Sequence, residues 1–246
     1  MSRDRIIIAT VHPWNIRNAR EAGNRMAGRY QVEIVTDPAE LASADLGPNP
    51  PRFIFFPHWS WKIPAEIAER YECILFHISD LPFGRGGTPL QNLISRGMET
   101  TVISAIRVTE EIDAGPVYLK HPLSLCGNAE EIYLRASGII FGEMIPEILK
   151  KRPKPRAQRG KVTRFSRRRP EESNIKGIHD LENLYDHIRM LDAPGYPKAY
   201  LETEHLIVEL TRASVHTDGI RADAWIRIKR EGGHEENTRR GSTPRR

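Results

Sequence analysis

The sequence predicts an α/β fold built on a mostly parallel sheet. Three observations carry that reading. Short β-branched runs recur with helix-like stretches between them, which is the spacing of βαβ units. The first run, Ile6-Ile7-Ile8-Ala9-Thr10-Val11, is continuous rather than alternating, as in strands buried on both faces. Polar or glycine-rich segments open directly behind several runs, and an open parallel sheet binds ligands at that carboxyl edge.

The elements follow in order. Residues 6–11 form the first strand, and helix-like composition covers 15–29. Gln31–Thr36 reads as a second strand, 40–44 as a short helix, and Arg52–Phe56 as a third strand. A helix over 65–70 leads to a fourth strand, Cys73–His77. Gly87–Arg96 opens a helix behind a glycine-rich turn. Residues 101–108 and 117–122 alternate like strands, and 130–150 is the longest helix candidate. From Lys151 to about Ser173 Pro and Arg dominate, which reads as a solvated basic linker. A helix over 179–191 and strands over 199–210 and 220–229 complete a small β-rich appendage. The predicted organisation is a main domain over 1–150, a linker over 151–178, a C-terminal subdomain over 179–230 and a disordered tail over 231–246.

The chain has 246 residues, 39% of them apolar, with a net charge of +5. The positive excess gathers in 150–169 and in the tail, which admits anionic partners: nucleic acid, a membrane surface or a small anion. The two cysteines, Cys73 and Cys126, form no CxxC pair. They read as buried reduced thiols, with no zinc or redox motif. No apolar run nears the roughly 18 residues of a membrane span, and the expectation is a cytoplasmic protein that uses no metal. Neither GxGxxG nor GxxxxGK[ST] occurs, which weakens dehydrogenase and ATPase readings.

The densest chemistry lies in His77-Ile78-Ser79-Asp80-Leu81-Pro82-Phe83-Gly84-Arg85-Gly86-Gly87-Thr88-Pro89. A histidine at a strand end can act as acid or base near neutral pH. The glycines behind it let backbone approach a ligand closely. The second segment, Glu110-Glu111-Ile112-Asp113-Ala114-Gly115-Pro116, follows after one helix and one strand, so Asp113 can return to the same sheet edge. A carboxylate there can hold the tautomer of His77. Alone, the first segment has a strand-capping histidine with a tight turn as its other reading, and the second is equally readable as an Asx turn. A third segment, Pro57-His58-Trp59-Ser60-Trp61-Lys62-Ile63, reads as a packed loop or as an aromatic wall for a flat ligand.

Taken together, His77, Leu81-Pro82, Arg85-Gly86 and Asp113-Ala114-Gly115-Pro116 resemble the folate-dependent formyltransferase family over roughly residues 5–150. The resemblance implies a Rossmann-like, mostly parallel sheet of the formyltransferase type and 10-formyltetrahydrofolate as co-substrate. It implies His77 and Asp113, with Ser79, as catalytic residues. Folate would lie against His58, Trp59, Ser60, Trp61, Lys62, Ile63, Leu81, Pro82, Phe83, Gly84, Arg85, Gly86, Val108 and Ile112. Candidate acceptor residues are His12, Trp14, Asn15, Arg17, Asn18, Asn92 and Tyr196, the last with packing as its other reading. One position departs from the family pattern: the asparagine two residues before the histidine is Leu75 here. Ser79, Asn92 and His58 are candidate replacement donors.

Within the family the string looks most like the sugar-nucleotide N-formyltransferases of pseudaminic-acid-type synthesis. The implied acceptor is a UDP-linked 4-amino-4,6-dideoxy sugar. Partners would then be small molecules, with nucleic acid and membrane not expected and a homodimer a further expectation. Methionyl-tRNA is the alternative acceptor, with 150–169 as its phosphate contact. A non-catalytic folate- or nucleotide-binding module is the other class, suggested by Leu75.

Overall fold

The computed structural model describes residues 3–43 and 47–229. A six-stranded sheet runs in the order β2-β1-β3-β4-β6-β7. Its strands are β1 (Asp4–Ala9), β2 (Tyr30–Val35), β3 (Phe53–Pro57), β4 (Cys73–Ile78), β6 (Thr100–Arg107) and β7 (Val117–Ser124). The first four are parallel, β6 runs antiparallel to β4, and β7 runs antiparallel to β6. Helices α1 (Pro13–Met26), α2 (Pro38–Ser43) and α3 (Ala65–Arg70) supply the crossovers between the parallel strands, and α4 (Pro89–Ile94) leads into β6.

The continuous run at the start forms a strand because both of its faces are covered. Ile6 and Ile8 join one core with α1 and the long helical stretch over residues 129–151. Ile7 and Ala9 join a second with Val35, Leu41, Ile54, Phe56 and Cys73. The strand begins two residues before the predicted start and ends at Ala9. Thr10 is instead held by its hydroxyl, which donates to the carbonyl of Pro57 at 2.7 Å.

The longest helix candidate is one continuous helical stretch, α5 (Ala129–Ile139), a π-helical turn over Ile140–Met144 and α6 (Ile145–Lys151). Asn128 and Glu131 form a reciprocal capping box at its start, satisfying two otherwise orphaned amides. Pro146 has no N–H to return to the preceding turn, and the helix widens into the π turn just before it.

Three expectations are corrected. The basic segment is not simply solvated: Phe165 is 4% exposed. Its strand β8 (Arg164–Phe165) pairs with β5 (Arg85–Gly86) in the glycine-rich loop. Phe165 anchors the segment by packing edge-on to Phe83 and under the guanidinium of Arg96. The stretch 199–210 is two strands, β9 (Ala199–Glu202) and β10 (Leu206–His216), because Thr203-Glu204-His205 turns between them. With β11 (Gly219–Ile228) they form an antiparallel sheet packed beside α7 (Leu181–Leu191). Of the two cysteines, Cys73 is buried but Cys126 is exposed. The predicted disordered tail lies outside the described residues. Among the described residues no helix is long and apolar enough to cross a membrane.

Candidate active site

Strand alternation decides which way the functional residues face. On β4, Ile74 and Phe76 enter the core beneath α4 and α5, whereas Cys73 and Leu75 belong to the opposite face. His77 shares the register of Cys73 and Leu75, two residues further along that face. It is 7% exposed and lies opposite Ser104 of β6.

The loop behind β4 folds back over the ring. His77 Nε2 donates to the carbonyl of Gly84 at 2.8 Å, and its Nδ1 lies 3.5 Å from Asp113 Oδ2. The same carboxylate oxygen accepts the Gly86 amide at 2.9 Å. Both ring nitrogens therefore face oxygen acceptors, and Asp113 also anchors the loop that supplies one of them. Ser79 is fully buried; its hydroxyl donates to Gly84 O at 3.3 Å, and its carbonyl accepts Ser104 Oγ at 2.7 Å. A cis bond joins Leu81 to Pro82.

Three backbone features shape this corner. Gly84 has a positive φ of 79°, and a Cβ there would overlap the Phe165 ring. A Cβ on Gly115 would overlap the carbonyl of Arg107, so the Asp-Ala-Gly-Pro turn closes only with glycine. Asp113 itself stands at φ 54°, a left-handed conformation that costs a non-glycine residue about 1–2 kcal/mol.

The folate candidates divide into groups. Leu81 is buried, and Val108, Trp59 and Ile63 pack with Leu75 against the second core. Trp59 and Trp61 meet edge to face at 4.9 Å, and the buried Trp59 Nε1 has no partner. Ser60 and Lys62 are exposed, as is Ile112 at 69% beside Asp113. Trp59, Ile63, Leu75 and Val108 thus form one apolar group on the sheet face that His77 shares with Cys73 and Leu75.

His58 leaves this group. It has a positive φ of 53°, which turns its ring away from Trp59. The ring meets His12 at 4.2 Å and Tyr133 at 4.7 Å, and Nε2 pairs with the Tyr196 hydroxyl at 3.0 Å. His12 stacks on Trp14, and Tyr133 on Tyr196. Burial, with the neighbouring His12, pushes the His58 pKa down to about 3. Burial also lowers that of His12 and raises those of both tyrosines. Four predicted residues thus gather in an aromatic cluster completed by Tyr133 and held by Gln91, which donates to the Tyr133 hydroxyl and Met190 O.

The remaining acceptor candidates are committed elsewhere or point outward. Asn18 donates to Ser137 Oγ on α5, Asn15 is buried and Arg17 is exposed. Asn92 donates to Gly87 O, Thr88 O and Ser166 O, tying α4 to the basic segment. Of the three proposed substitutes for the family asparagine, Asn92 and His58 are therefore occupied elsewhere. Only Ser79 lies beside His77.

Gln158, Glu111 and Phe165 were not among the predicted site residues. Gln158 donates to Asp113 O and Gly115 O while accepting from Arg85, and Glu111 accepts from Arg85 and Arg164. The one sequence signal was Phe165, a lone aromatic within a basic run. Among the described residues no group of metal-ligating side chains converges.

Comparison with known proteins fits this geometry. The family model described as the methionyl-tRNA formyltransferase C-terminal domain matches residues 170–227. A methionyl-tRNA formyltransferase from Wolinella succinogenes is 27% identical over 170 residues, 67% of this chain and 54% of that protein. The chain spans about half the length of the curated relatives it matches. The structure of a methionyl-tRNA formyltransferase from Clostridium thermocellum is 49% identical, with a TM-score of 0.89, covering 92% of this chain and all of that one. A sugar N-formyltransferase from Shewanella sp. is only 14% identical, with a TM-score of 0.64 over 82% of this chain and 93% of that one. That likeness shows the fold alone. The expected kinship with sugar-nucleotide enzymes, and the UDP-sugar acceptor that followed from it, are overturned. Short loop strings shared across the family do not identify the acceptor.

Proposed function

This chain belongs to the formyltransferase family that includes the methionyl-tRNA formyltransferases, and on that premise we propose that it formylates the amino group of methionyl-tRNA with 10-formyltetrahydrofolate. The observation that carries the chemistry is the His77 ring held between the Gly84 carbonyl and the Asp113 carboxylate. The acceptor rests on full-length similarity to the Clostridium thermocellum protein. The basic segment 150–169 adds to it, since it lies against the Gly84–Gly87 loop and offers cations to phosphates.

The proposed reaction needs little of the protein beyond placement and electrostatics. The neutral amine attacks the formyl carbon and the carbonyl oxygen gains charge. The His77 Nε2–H now given to Gly84 O is the donor that would meet this oxygen. The C–N bond to the donor's N10 then breaks, and the proton lost by the amine passes to N10. Asp113 orients the imidazole and stabilises its charged form during that transfer. Leu75 contributes no donor, so the histidine carries the load that the family divides with an asparagine. The flat donor would lie on the apolar side chains around Leu75, Trp59, Ile63 and Val108.

The test is incubation with 10-formyltetrahydrofolate and methionyl-tRNA, followed by mass analysis of the amino acid released from the tRNA. Methionine heavier by one formyl group is the expected product. Unmodified methionine with folate binding intact would overturn the acceptor, and loss of folate binding would overturn the reaction class.

A further inference from the structure

We propose that Gln158, carried by the basic segment rather than by either site loop, is a positioning residue that sets the Asp113 carboxylate against His77 and the Gly86 amide. Its kinetic consequence rests on the formyl-transfer reading; its structural consequence does not.

The Asp113 turn needs an external hold. Asp113 sits in a left-handed conformation at φ 54°, a region that aspartate tolerates but that neighbouring contacts must hold in one geometry. The amide of Gln158 supplies that hold. Nε2 donates to Asp113 O at 2.7 Å and to Gly115 O at 2.9 Å, clamping both sides of the turn. Its Oε1 accepts Arg85 Nε at 3.1 Å and Nη2 at 2.8 Å. Every amide proton is thus used, and the carbonyl is matched to the edge of a guanidinium.

Arg85 is no arbitrary anchor. It is 9% exposed and lies between Gly84, whose carbonyl takes the His77 proton, and Gly86, whose amide meets Asp113. One neutral side chain therefore ties the aspartate's backbone to the loop that sets the histidine. Removing it strips two carbonyls of their donor and leaves the guanidinium edge unpaired. The turn is then free to relax, taking the carboxylate with it.

Two readouts test this. The first needs no substrate. In ¹⁵N-labelled protein the Gly86 amide reports its bond to Asp113. Its resonance should move in Gln158→Ala in the direction that Asp113→Ala moves it, with signals remote from the site unchanged. Gln158→Glu is nearly isosteric and keeps an oxygen towards Arg85 but loses both donors, so it should show the same displacement. It also reports if the alanine variant fails to fold. A Gly86 signal that stays at its wild-type position would overturn the proposal.

The second readout is kinetic. Gln158→Ala should lower kcat about 10- to 100-fold while KM for 10-formyltetrahydrofolate changes less than about threefold, the split expected when an interaction acts mainly in the transition state. Combined with Asp113→Ala it should cost less than about threefold more, because both changes remove one device. A fully additive loss, or a rise in KM alone, would overturn the assignment. If the wild type yields no formylated product, the reaction reading fails, and the Gly86 resonance still decides the role of Gln158.

Discussion

His77 and His58 stand at the carboxyl ends of neighbouring parallel strands, yet their surroundings set them to opposite tasks. His77 lies inside β4, so the pleat fixes its direction, and both ring nitrogens face oxygens. His58 comes just after β3 in a left-handed turn, which swings its ring to the other side of the edge. There it meets three aromatic rings and one phenol hydroxyl, and burial keeps it neutral. A strand-end histidine is thus not chemistry by itself. The residues that face its nitrogens decide, and those come from the loop behind β4, the β6–β7 loop and the loop behind α7.

The comparison breaks most visibly at Phe165. Truncation to alanine removes the anchor beneath Gly84 and should cost about 3–5 kcal/mol, as large core truncations do. Chemical denaturation would measure it, and a loss under about 1 kcal/mol would mean the segment is held by other contacts. Next in size are His77→Ala and Asp113→Ala. Each should reduce formyl transfer by about two orders of magnitude or more, with a stability loss of about 1–3 kcal/mol for the buried partners left unpaired. Retention of full turnover by both variants would remove the site assignment.

The aromatic cluster should answer to pH instead. The His58 pKa lies near 3 in the fold and near 6.5 in the unfolded chain. The unfolded state therefore binds the extra proton between those values. Stability from this group is fully present above about pH 6.5 and lost as pH falls towards 3, by at most about 1.4 kcal/mol per unit. Thermal melts from pH 7 to pH 4 should show that slope in the wild type, and a weaker one in His58→Gln. Equal slopes would mean His58 is not the group taking up the proton. The smallest effect is Tyr196→Phe. It removes the hydroxyl bonded to His58 and should cost about 1 kcal/mol, read as a drop in the melting midpoint.

Much of the fold was legible in the sequence because buried parallel strands and amphipathic helices are local patterns. The run at Ile6, the helix ending near Lys150 and the spacing of His77 and Asp113 all reflect such patterns. The aromatic character of His12, Trp14 and Tyr196 was visible, but not that they meet His58 and Tyr133. Gln158 carried no sequence signal, since a glutamine among prolines and arginines looks like any solvated residue. The acceptor was misread because loop strings near a shared chemistry are common to enzymes with different amine substrates.

The sequence by itself determined the α/β class, the two loops that bring a histidine and an aspartate to one sheet edge, and the glycines that let those loops close. These depend on side-chain period and on backbone freedom, which neighbouring residues set. Only the tertiary structure decided that the basic segment docks on the glycine-rich loop, that His58 is a half-buried histidine in an aromatic cluster and that Gln158 holds Asp113. These depend on contacts between residues 45 to 138 positions apart, where the partner is chosen by how the elements pack and not by the sequence around either residue.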